Sequence, residues 1–304
     1  MELISRITIK SRMINSRIKK ILHVIFYALI AILGICSCKP LEILNTITPG
    51  KGYSVYYDIA YGAHPRQTLD IYVPEKLITP HTTIVYFYGG SWQFGDKNMY
   101  RFLGQAFASK GFITVIVNYR LYPEVYFPAF IEDGAKAVHW VHRRIQKYGG
   151  DSSHVFLAGH SAGAHIAALL MTDEHYLKAE GGNLSWLKGM IGIAGPYDFL
   201  PFTDPKVKTL FSKKSDAKTQ PINFVKGGLP SFLLVTGDED KVVSPKNTYN
   251  FAYRLRSFKV PVTEILYPNI GHIGIILSLA TGFRYRTSLL EDITHFVESV
   301  NNKK

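Results

Sequence analysis

The chain has 304 residues, of which 47% are hydrophobic and 19% charged, so it can bury a large core, and extensive disorder is excluded. Two cysteines exclude a disulfide scaffold and a zinc site built from paired Cys-x-x-Cys motifs. The formal charge is +12, of which a net +5 lies in residues 1–20. The other basic residues are not interleaved with aromatic residues on which bases could stack. No nucleic-acid partner is therefore expected.

The first 38 residues predict an export signal. Basic residues dominate positions 1–20, and the apolar run from Ile21 to Cys36 is shorter than the roughly 20 residues that span a membrane. Its end, Ile35-Cys36-Ser37-Cys38, resembles the bacterial lipobox, with Cys38 as the lipidated residue. An uncleaved anchor helix and a soluble secreted form are the alternatives. All three place the remaining chain outside the cytoplasm, and the first two attach it to a membrane of the bacterial cell envelope.

From Gly52 onward, short β-like runs alternate with helix-like stretches, which predicts an α/β fold with a mostly parallel central sheet flanked by helices. No repeat or low-complexity linker divides this part, so a single catalytic domain is expected over residues 52–300. The predicted strands are residues 53–61, 68–73, 82–88, 112–119, 154–159, 190–195, 231–237 and 262–268. The predicted helices are residues 96–111, 127–148, 161–171 and 287–300.

A candidate nucleophile lies where the strand at 154–159 meets the following helix. Gly159-His160-Ser161-Ala162-Gly163 matches G-x-S-x-G, in which a sharp turn lifts the serine hydroxyl above the sheet and the glycines avoid clashes. Ser161 is therefore the predicted nucleophile. The N–H of Ala162 begins the helix, where its dipole favours an oxyanion, so Ala162 is a predicted oxyanion donor.

A second glycine motif, Tyr88-Gly89-Gly90-Ser91-Trp92, follows the strand at 82–88. The N–H groups of Gly89 and Gly90 can face a developing negative charge there, so both are predicted oxyanion donors. Together the two motifs resemble the carboxylesterase branch of the α/β-hydrolase superfamily, and within it the BD-FAE-like esterases and kynurenine-formamidase-like enzymes. Those relatives carry histidine at the position of Tyr88, where it braces the loop. Further matches are Asn118–Leu121, Phe127–Ala129 and Gly150-Asp151, and the resemblance extends over about residues 52–300.

The resemblance implies a Ser, acid, His order along the chain. His272 follows the last predicted strand in a loop, where a base can reach the serine, and it matches the catalytic histidine of the family. His165 would point away from the hydroxyl along the helix of the nucleophile. A G-x-x-D-x-x-V pattern at Gly237 selects Asp240 as the acid, and Asp238 is the competing assignment.

The region between the predicted strands at 190–195 and 231–237 and a pair of histidines have structural interpretations. A small cap or insertion is expected around residues 199–227, and its lysine-rich stretch 204–226 fits either a mobile cap or an inert basic loop. His139 and His142 are spaced like a metal-binding pair, but no third ligand follows at a sensible spacing, so packing or solvated histidines are expected.

These residues predict a serine carboxylic-ester hydrolase that acts on a small-molecule ester with a short acyl chain or an aryl group. No metal and no organic cofactor is expected. The same groups can cleave an activated amide, so an arylformamidase acting on N-formylkynurenine is the alternative. A non-catalytic scaffold that retains the hydrolase fold is a further alternative.

Overall fold

The structure is a computed structural model that describes residues 44–212 and 216–302. The chain divides into two units, Met1–Ile47 and Thr48–Lys304, and only residues 44–47 of the first unit are described. The predicted export segment, with Cys38, lies outside the described residues, so the interpretations of it stay predictions. Within the described ranges, no helix has the length and apolar character needed to cross a membrane.

The described residues of the second unit contain one sheet of eight strands. In chain order they are β1 Tyr53–Ala60, β2 Thr68–Pro74, β3 Thr83–Phe87, β4 Ile113–Val117, β5 Val155–His160, β6 Leu187–Ile193, β7 Ser231–Gly237 and β8 Val262–Tyr267. Their spatial order is β1-β2-β4-β3-β5-β6-β7-β8. β2 is antiparallel to both of its neighbours, and all other pairs are parallel. The predicted α/β fold is confirmed.

The positions of the central strands β3, β4 and β5 in the sheet indicate where a ligand site can form. Every residue of β3, β4 and β5 is buried, as expected for apolar runs rich in β-branched and aromatic residues inside a parallel sheet. β3 pairs with β4 on one side and with β5 on the other, so the chain changes direction across the sheet at β3. Ligands of open α/β sheets bind beyond the carboxyl ends of strands at such a reversal.

Eight α-helices accompany this sheet within the described residues. They are α1 Arg101–Ala108, α2 Ala129–Arg144, α3 Ala162–Thr172, α4 His175–Ala179, α5 Pro205–Phe211, α6 Lys246–Ser257, α7 His272–Leu277 and α8 Leu289–Asn301. The four predicted helices correspond to α1, α2, α3 and α8. The sequence did not predict α6, because Asn, Thr and Tyr are poor helix formers, and the helix is stabilised instead by burying Phe251 and Leu255.

The segment between β6 and β7 forms the small cap. It contains α5 and two 3₁₀ helices, Asp216–Thr219 and Pro221–Phe224, while residues 213–215 are not described. Leu210 and Phe211 at the end of α5 are fully buried, and the ring of Phe211 contacts that of Trp92 at a centroid distance of 4.9 Å. The segment is therefore packed against the domain by aromatic contacts, and it is not an inert basic loop.

A buried ion pair joins α2 to the end of β4. The Asp133 carboxylate is fully buried and accepts hydrogen bonds from the Arg120 main-chain N–H at 2.8 Å and the Gln67 amide at 2.7 Å. The Arg120 guanidinium donates to both carboxylate oxygens at 2.7–3.0 Å. Every charge in this cluster has a partner, so Asp133 supports the fold.

Candidate active site

The candidate nucleophile lies on a sharp turn between β5 and α3. Ser161 has φ 54° and ψ −124°, a conformation that non-glycine residues rarely adopt. A Cβ on Gly163 would lie 2.0 Å from the main-chain oxygen of Phe87, and a Cβ on Gly159 would lie 2.3 Å from the main chain of Gly163. Only glycine fits at both positions, which explains why the turn requires the G-x-S-x-G pattern.

Three predicted residues meet above the carboxyl ends of the parallel strands. His272 Nε2 lies 2.9 Å from Ser161 Oγ, and His272 Nδ1 lies 2.7 Å from Asp240 Oδ2. All three side chains are buried. They follow the ends of β5, β7 and β8. Ser161 and Asp240 are 79 residues apart along the chain, and Asp240 and His272 are 32 apart, but the strand order brings them together. His272 is the first residue of α7, whereas the sequence had predicted a loop position.

The hydrogen bonds of Asp240 determine which nitrogen of His272 carries the hydrogen. Its Oδ1 accepts from the N–H groups of Val242 and Val243, each at 2.9 Å, which leaves Oδ2 for His272. Burial alone would raise the pKa of Asp240, but the bond from His272 and these two N–H groups hold it below its usual value. A carboxylate only accepts, so Nδ1 of His272 donates, and its Nε2 lone pair faces Ser161.

The competing acid, Asp238, has a different contact. Its exposed carboxylate accepts a hydrogen bond from the N–H of Asn269 at 2.7 Å and braces the loop after β8. Among the described residues, no contact joins it to the imidazole of His272. The geometry therefore favours Asp240 over Asp238 as the partner of the histidine.

The glycine loop lies against the serine turn. A Cβ on Gly89 would lie 3.0 Å from Ser161 Cβ, and a Cβ on Gly90, where φ is +132°, would lie 2.2 Å from the oxygen of Phe94. Within the described part of the chain, the N–H groups of Gly89 and Gly90 donate to no protein acceptor. The N–H of Ala162 is the first of α3 and has no acceptor within that helix. Gly89 and Ala162 thus lie beside Ser161, and Gly90 is the next residue of the same loop.

Sequence reasoning missed a fourth candidate donor. Ser91 lines the cavity together with Ser161 and Ala162, whereas Gly89 and Gly90 are not among the lining residues. Ser91 has φ 52°, so this loop departs from ordinary backbone geometry at the residue after the two glycines. The sequence feature that could have identified Ser91 is its position directly after Gly89-Gly90.

Tyr88, at the position where the resemblance predicts a histidine, braces the loop. Its hydroxyl donates to Asn118 Oδ1 at 2.8 Å and accepts from the Arg66 guanidinium at 2.7 Å. The ring stacks between Tyr100 and Tyr119, at centroid distances of 5.4 and 4.8 Å. The phenol therefore holds the loop through both faces of its ring and its hydroxyl, so the histidine is not required for this task.

A cavity of about 450 Å³ opens beside Ser161. Its walls combine the glycine loop, the cap and the segment after Asp240, and the cap contributes residues 199–204. Ten of its sixteen lining residues are apolar or aromatic, and the largest of these include Trp92, Phe199, Leu200, Phe202, Val207 and Val242. The cap segment thus faces the candidate nucleophile, and the cavity suits an apolar group attached to a reacting carbonyl carbon.

The other histidines have structural partners or are exposed. His165 is fully buried and bonds through Nε2 to the main-chain oxygen of Thr219 in the cap, at 2.8 Å. His142 stacks on Trp186 at 3.9 Å, and His139 contacts the same indole edge-on at 5.9 Å, so both pack as expected. His175 and His295 are exposed on α4 and α8.

Comparison with known proteins places these features in a family. The BD-FAE family profile matches residues 69–255. A probable isoprenylcysteine alpha-carbonyl methylesterase of Arabidopsis thaliana is 27% identical over 242 residues, which cover 72% of this chain and 51% of that protein. A kynurenine formamidase of Salmo salar is 27% identical over 247 residues, which cover 77% of this chain and 80% of that protein.

The chain spans about half the length of the Arabidopsis relative. Among solved structures, a truncated form of a carbohydrate esterase from gut microbiota superimposes with a TM-score of 0.72 at 24% identity, covering 84% of this chain and 99% of that chain. This likeness establishes the fold. With the profile match over more than half of the sequence, the chain belongs to the BD-FAE family, in the carboxylesterase branch of the α/β-hydrolase superfamily.

Proposed function

We propose that this chain is a serine carboxylic-ester hydrolase that works through an acyl-enzyme. The observation that carries the proposal is the continuous hydrogen-bonded series from Asp240 through His272 to Ser161, which ends beside an apolar cavity. A nucleophile, a base and a group that orients the base, all within hydrogen-bond reach, form the arrangement that acyl transfer requires.

The proposed reaction has two steps. Ser161 Oγ attacks the ester carbonyl while His272 Nε2 takes its proton, and Asp240 stabilises the imidazolium. The N–H groups of Gly89, Gly90 and Ala162 stabilise the oxyanion. His272 then protonates the leaving alcohol, and an acyl group remains on Ser161. In the second step, water gives a proton to His272 and attacks the acyl carbon. The bond between the acyl carbon and Ser161 Oγ then breaks, His272 returns the proton to Oγ, and the carboxylic acid is released.

The cavity supports a substrate with a short acyl chain or an aryl group. Its volume of about 450 Å³ lies within the range of small-molecule sites, and aromatic side chains of the cap and of Trp92 form its walls. A long polar chain would leave these apolar walls uncovered. We therefore propose a small, largely apolar ester as the substrate class.

The second candidate is an arylformamidase. It is favoured by the similarity to the kynurenine formamidase of Salmo salar, of which this chain covers 80%. A formamide carbonyl carbon can be attacked by the same serine, and its oxygen can accept hydrogen bonds from the same N–H groups, so the geometry of the three residues is compatible with both reactions. The predicted export of the chain disfavours it, because N-formylkynurenine belongs to cytoplasmic tryptophan breakdown.

The assay that separates these functions uses p-nitrophenyl acetate, p-nitrophenyl butyrate and N-formylkynurenine with the purified chain. We expect kcat/KM to be highest for one of the two esters, and diisopropyl fluorophosphate to label the peptide that contains Ser161, as detected by mass spectrometry. A higher kcat/KM for N-formylkynurenine would identify the arylformamidase instead. Absence of both hydrolysis and labelling would support the non-catalytic scaffold.

We also propose that the chain is exported and attached to a membrane of the bacterial cell envelope through a lipid on Cys38. The lipobox-like end of the apolar run supports this, although those residues lie outside the described part of the structure. In a bacterial host, Cys38→Ala is expected to abolish lipid incorporation and to release the protein from the membrane fraction, while Cys36→Ala serves as the matched control. Unchanged processing and attachment of the Cys38→Ala variant would contradict the lipid anchor.

A further inference from the structure

His160, the residue before the candidate nucleophile, contacts two other parts of the site. Its Nε2 lies 3.0 Å from the main-chain oxygen of His272, and the two imidazole rings lie 4.7 Å apart at an interplanar angle of 40°. On its other side, a Cβ on Gly89 would lie 2.9 Å from His160 Nδ1. The ring therefore lies between the glycine loop and the segment that carries the base, and only 4% of it is exposed.

The contact with the main-chain oxygen of His272 determines which nitrogen of the His160 ring carries the hydrogen. A main-chain carbonyl oxygen only accepts, so His160 Nε2 carries the hydrogen and donates it. Burial, together with the neighbouring His272, lowers the pKa of His160 to about 3. The ring is consequently neutral at neutral pH, and it donates the same hydrogen bond throughout the range in which an ester hydrolase works.

A neutral donor suits this position for an electrostatic reason. The proposed reaction places a positive charge on the His272 imidazole, 4.7 Å from the His160 ring. A lysine or arginine donor would oppose that charge in a buried, poorly screened site. His160 supplies the hydrogen bond without a competing cation.

We propose that His160 is a positioning residue of the reaction. Its Nε2–H holds the carbonyl of His272 and thereby keeps the His272 imidazole in line between Asp240 and Ser161. The hydrogen bond of His160 goes to the main-chain oxygen of His272, so His160 acts on the reaction through the base. The inference rests on the proposed function, because it assigns a role in the proton transfer of that same site.

The kinetic test compares His160→Phe, which retains a ring of similar size but has no donor, with His160→Gln, whose side-chain amide restores an N–H donor. With p-nitrophenyl butyrate, we expect kcat of the Phe variant to fall about 10²-fold with KM within about 2-fold, because a small displacement of the base mainly affects the transition state. The Gln variant is expected to return to within about 10-fold of the wild type.

His142→Phe is the matched control, since His142 stacks on Trp186 and belongs neither to the three candidate catalytic residues nor to the cavity wall. It should leave kcat unchanged. Unaltered kcat in His160→Phe would overturn the positioning role. Equal losses in the Phe and Gln variants, with equally lowered melting temperatures, would also overturn it, because they would indicate packing alone.

A measurement without turnover separates this inference from the proposed function. The proton shared by His272 Nδ1 and Asp240 should give a downfield ¹H NMR resonance in the wild type and in His160→Gln, and the resonance should be lost or shifted in His160→Phe. An unchanged resonance in His160→Phe would refute the positioning role. Failure of the wild type to hydrolyse any ester would refute the proposed function, while the resonance would still decide the role of His160.

Discussion

Replacing Ser161 with alanine is expected to lower kcat for p-nitrophenyl butyrate by about 10⁴- to 10⁶-fold, because the substitution removes the atom that forms the acyl-enzyme. The loss should not come from unfolding. The Ser161 hydroxyl makes one hydrogen bond, to His272, and alanine adds no volume to the turn. Wild-type and variant melting temperatures should therefore agree within a few degrees, as measured by circular dichroism.

The residues that act with Ser161 should show strong non-additivity. Ser161→Ala combined with His272→Ala is expected to be no slower than Ser161→Ala alone, because the base has no function without the nucleophile. The rate that remains in both variants would then reflect substrate binding and stabilisation of the oxyanion by the N–H donors. A double variant slower than the single variant by a further 10³-fold would indicate that His272 acts independently of Ser161, which would contradict the proposed mechanism.

Two neighbouring aspartates provide a matched pair for the acid. Asp240→Asn is expected to lower kcat by about 10⁴-fold, because an amide cannot stabilise the imidazolium and favours the wrong tautomer of His272. Asp238→Asn should remain within a few-fold of the wild type, since the Asp238 carboxylate contacts the Asn269 main chain instead. The opposite ranking of the two variants would assign the acid to Asp238.

The sequence contained enough information to locate the strands and the candidate nucleophile. Buried parallel strands require long apolar runs, and the turn at Ser161 leaves no room for a Cβ at Gly159 or Gly163, so both features leave a local pattern. The predicted strand bounds agree with the structure within three residues. Such features are readable because a local physical requirement restricts the residue type.

Features that depend on contacts between distant segments could not be read in the same way. The brace of Tyr88 depends on Arg66 and Asn118, which come from separate turns of the chain. The family pattern G-x-x-D-x-x-V favoured Asp240 over Asp238, but which carboxylate faces His272 depends on the packing of β7 against β8 and has no local requirement in the sequence. The contact of His160 with the carbonyl of His272 spans 112 residues and has no sequence signature.

The two buried histidines near the turn, His160 and His165, should make the fold acid-sensitive. Burial lowers the pKa of His165 to about 4, and burial with the nearby His272 lowers that of His160 to about 3, from the ordinary value of 6.5. Below about pH 6.5 the unfolded chain binds a proton at each imidazole, whereas the folded chain does not. The stability that the two neutral imidazoles contribute is therefore fully present above about pH 6.5, and it is lost as the pH falls toward 4.

The expected slope follows from this linkage. Each histidine contributes about 1.4 kcal/mol per pH unit to the fall in the free energy of unfolding, so the pair contributes about 2.7 kcal/mol per unit. Over two pH units the loss is about 5 kcal/mol, which is comparable to the whole stability of many domains. Urea unfolding followed by tryptophan fluorescence at pH 7, 6 and 5 measures this slope.

The variant His165→Phe isolates the contribution of one histidine. Phenylalanine retains a ring beside Trp92 and Phe211 but cannot form the hydrogen bond to the oxygen of Thr219. The loss of this hydrogen bond by itself lowers the free energy of unfolding by a similar amount at every pH. The slope between pH 6 and 5 should nevertheless decrease by about 1.4 kcal/mol per unit, because the variant has no imidazole to protonate on unfolding. An equal slope in both proteins would mean that His165 is charged in the folded state, and the buried, neutral imidazole described for it would be wrong.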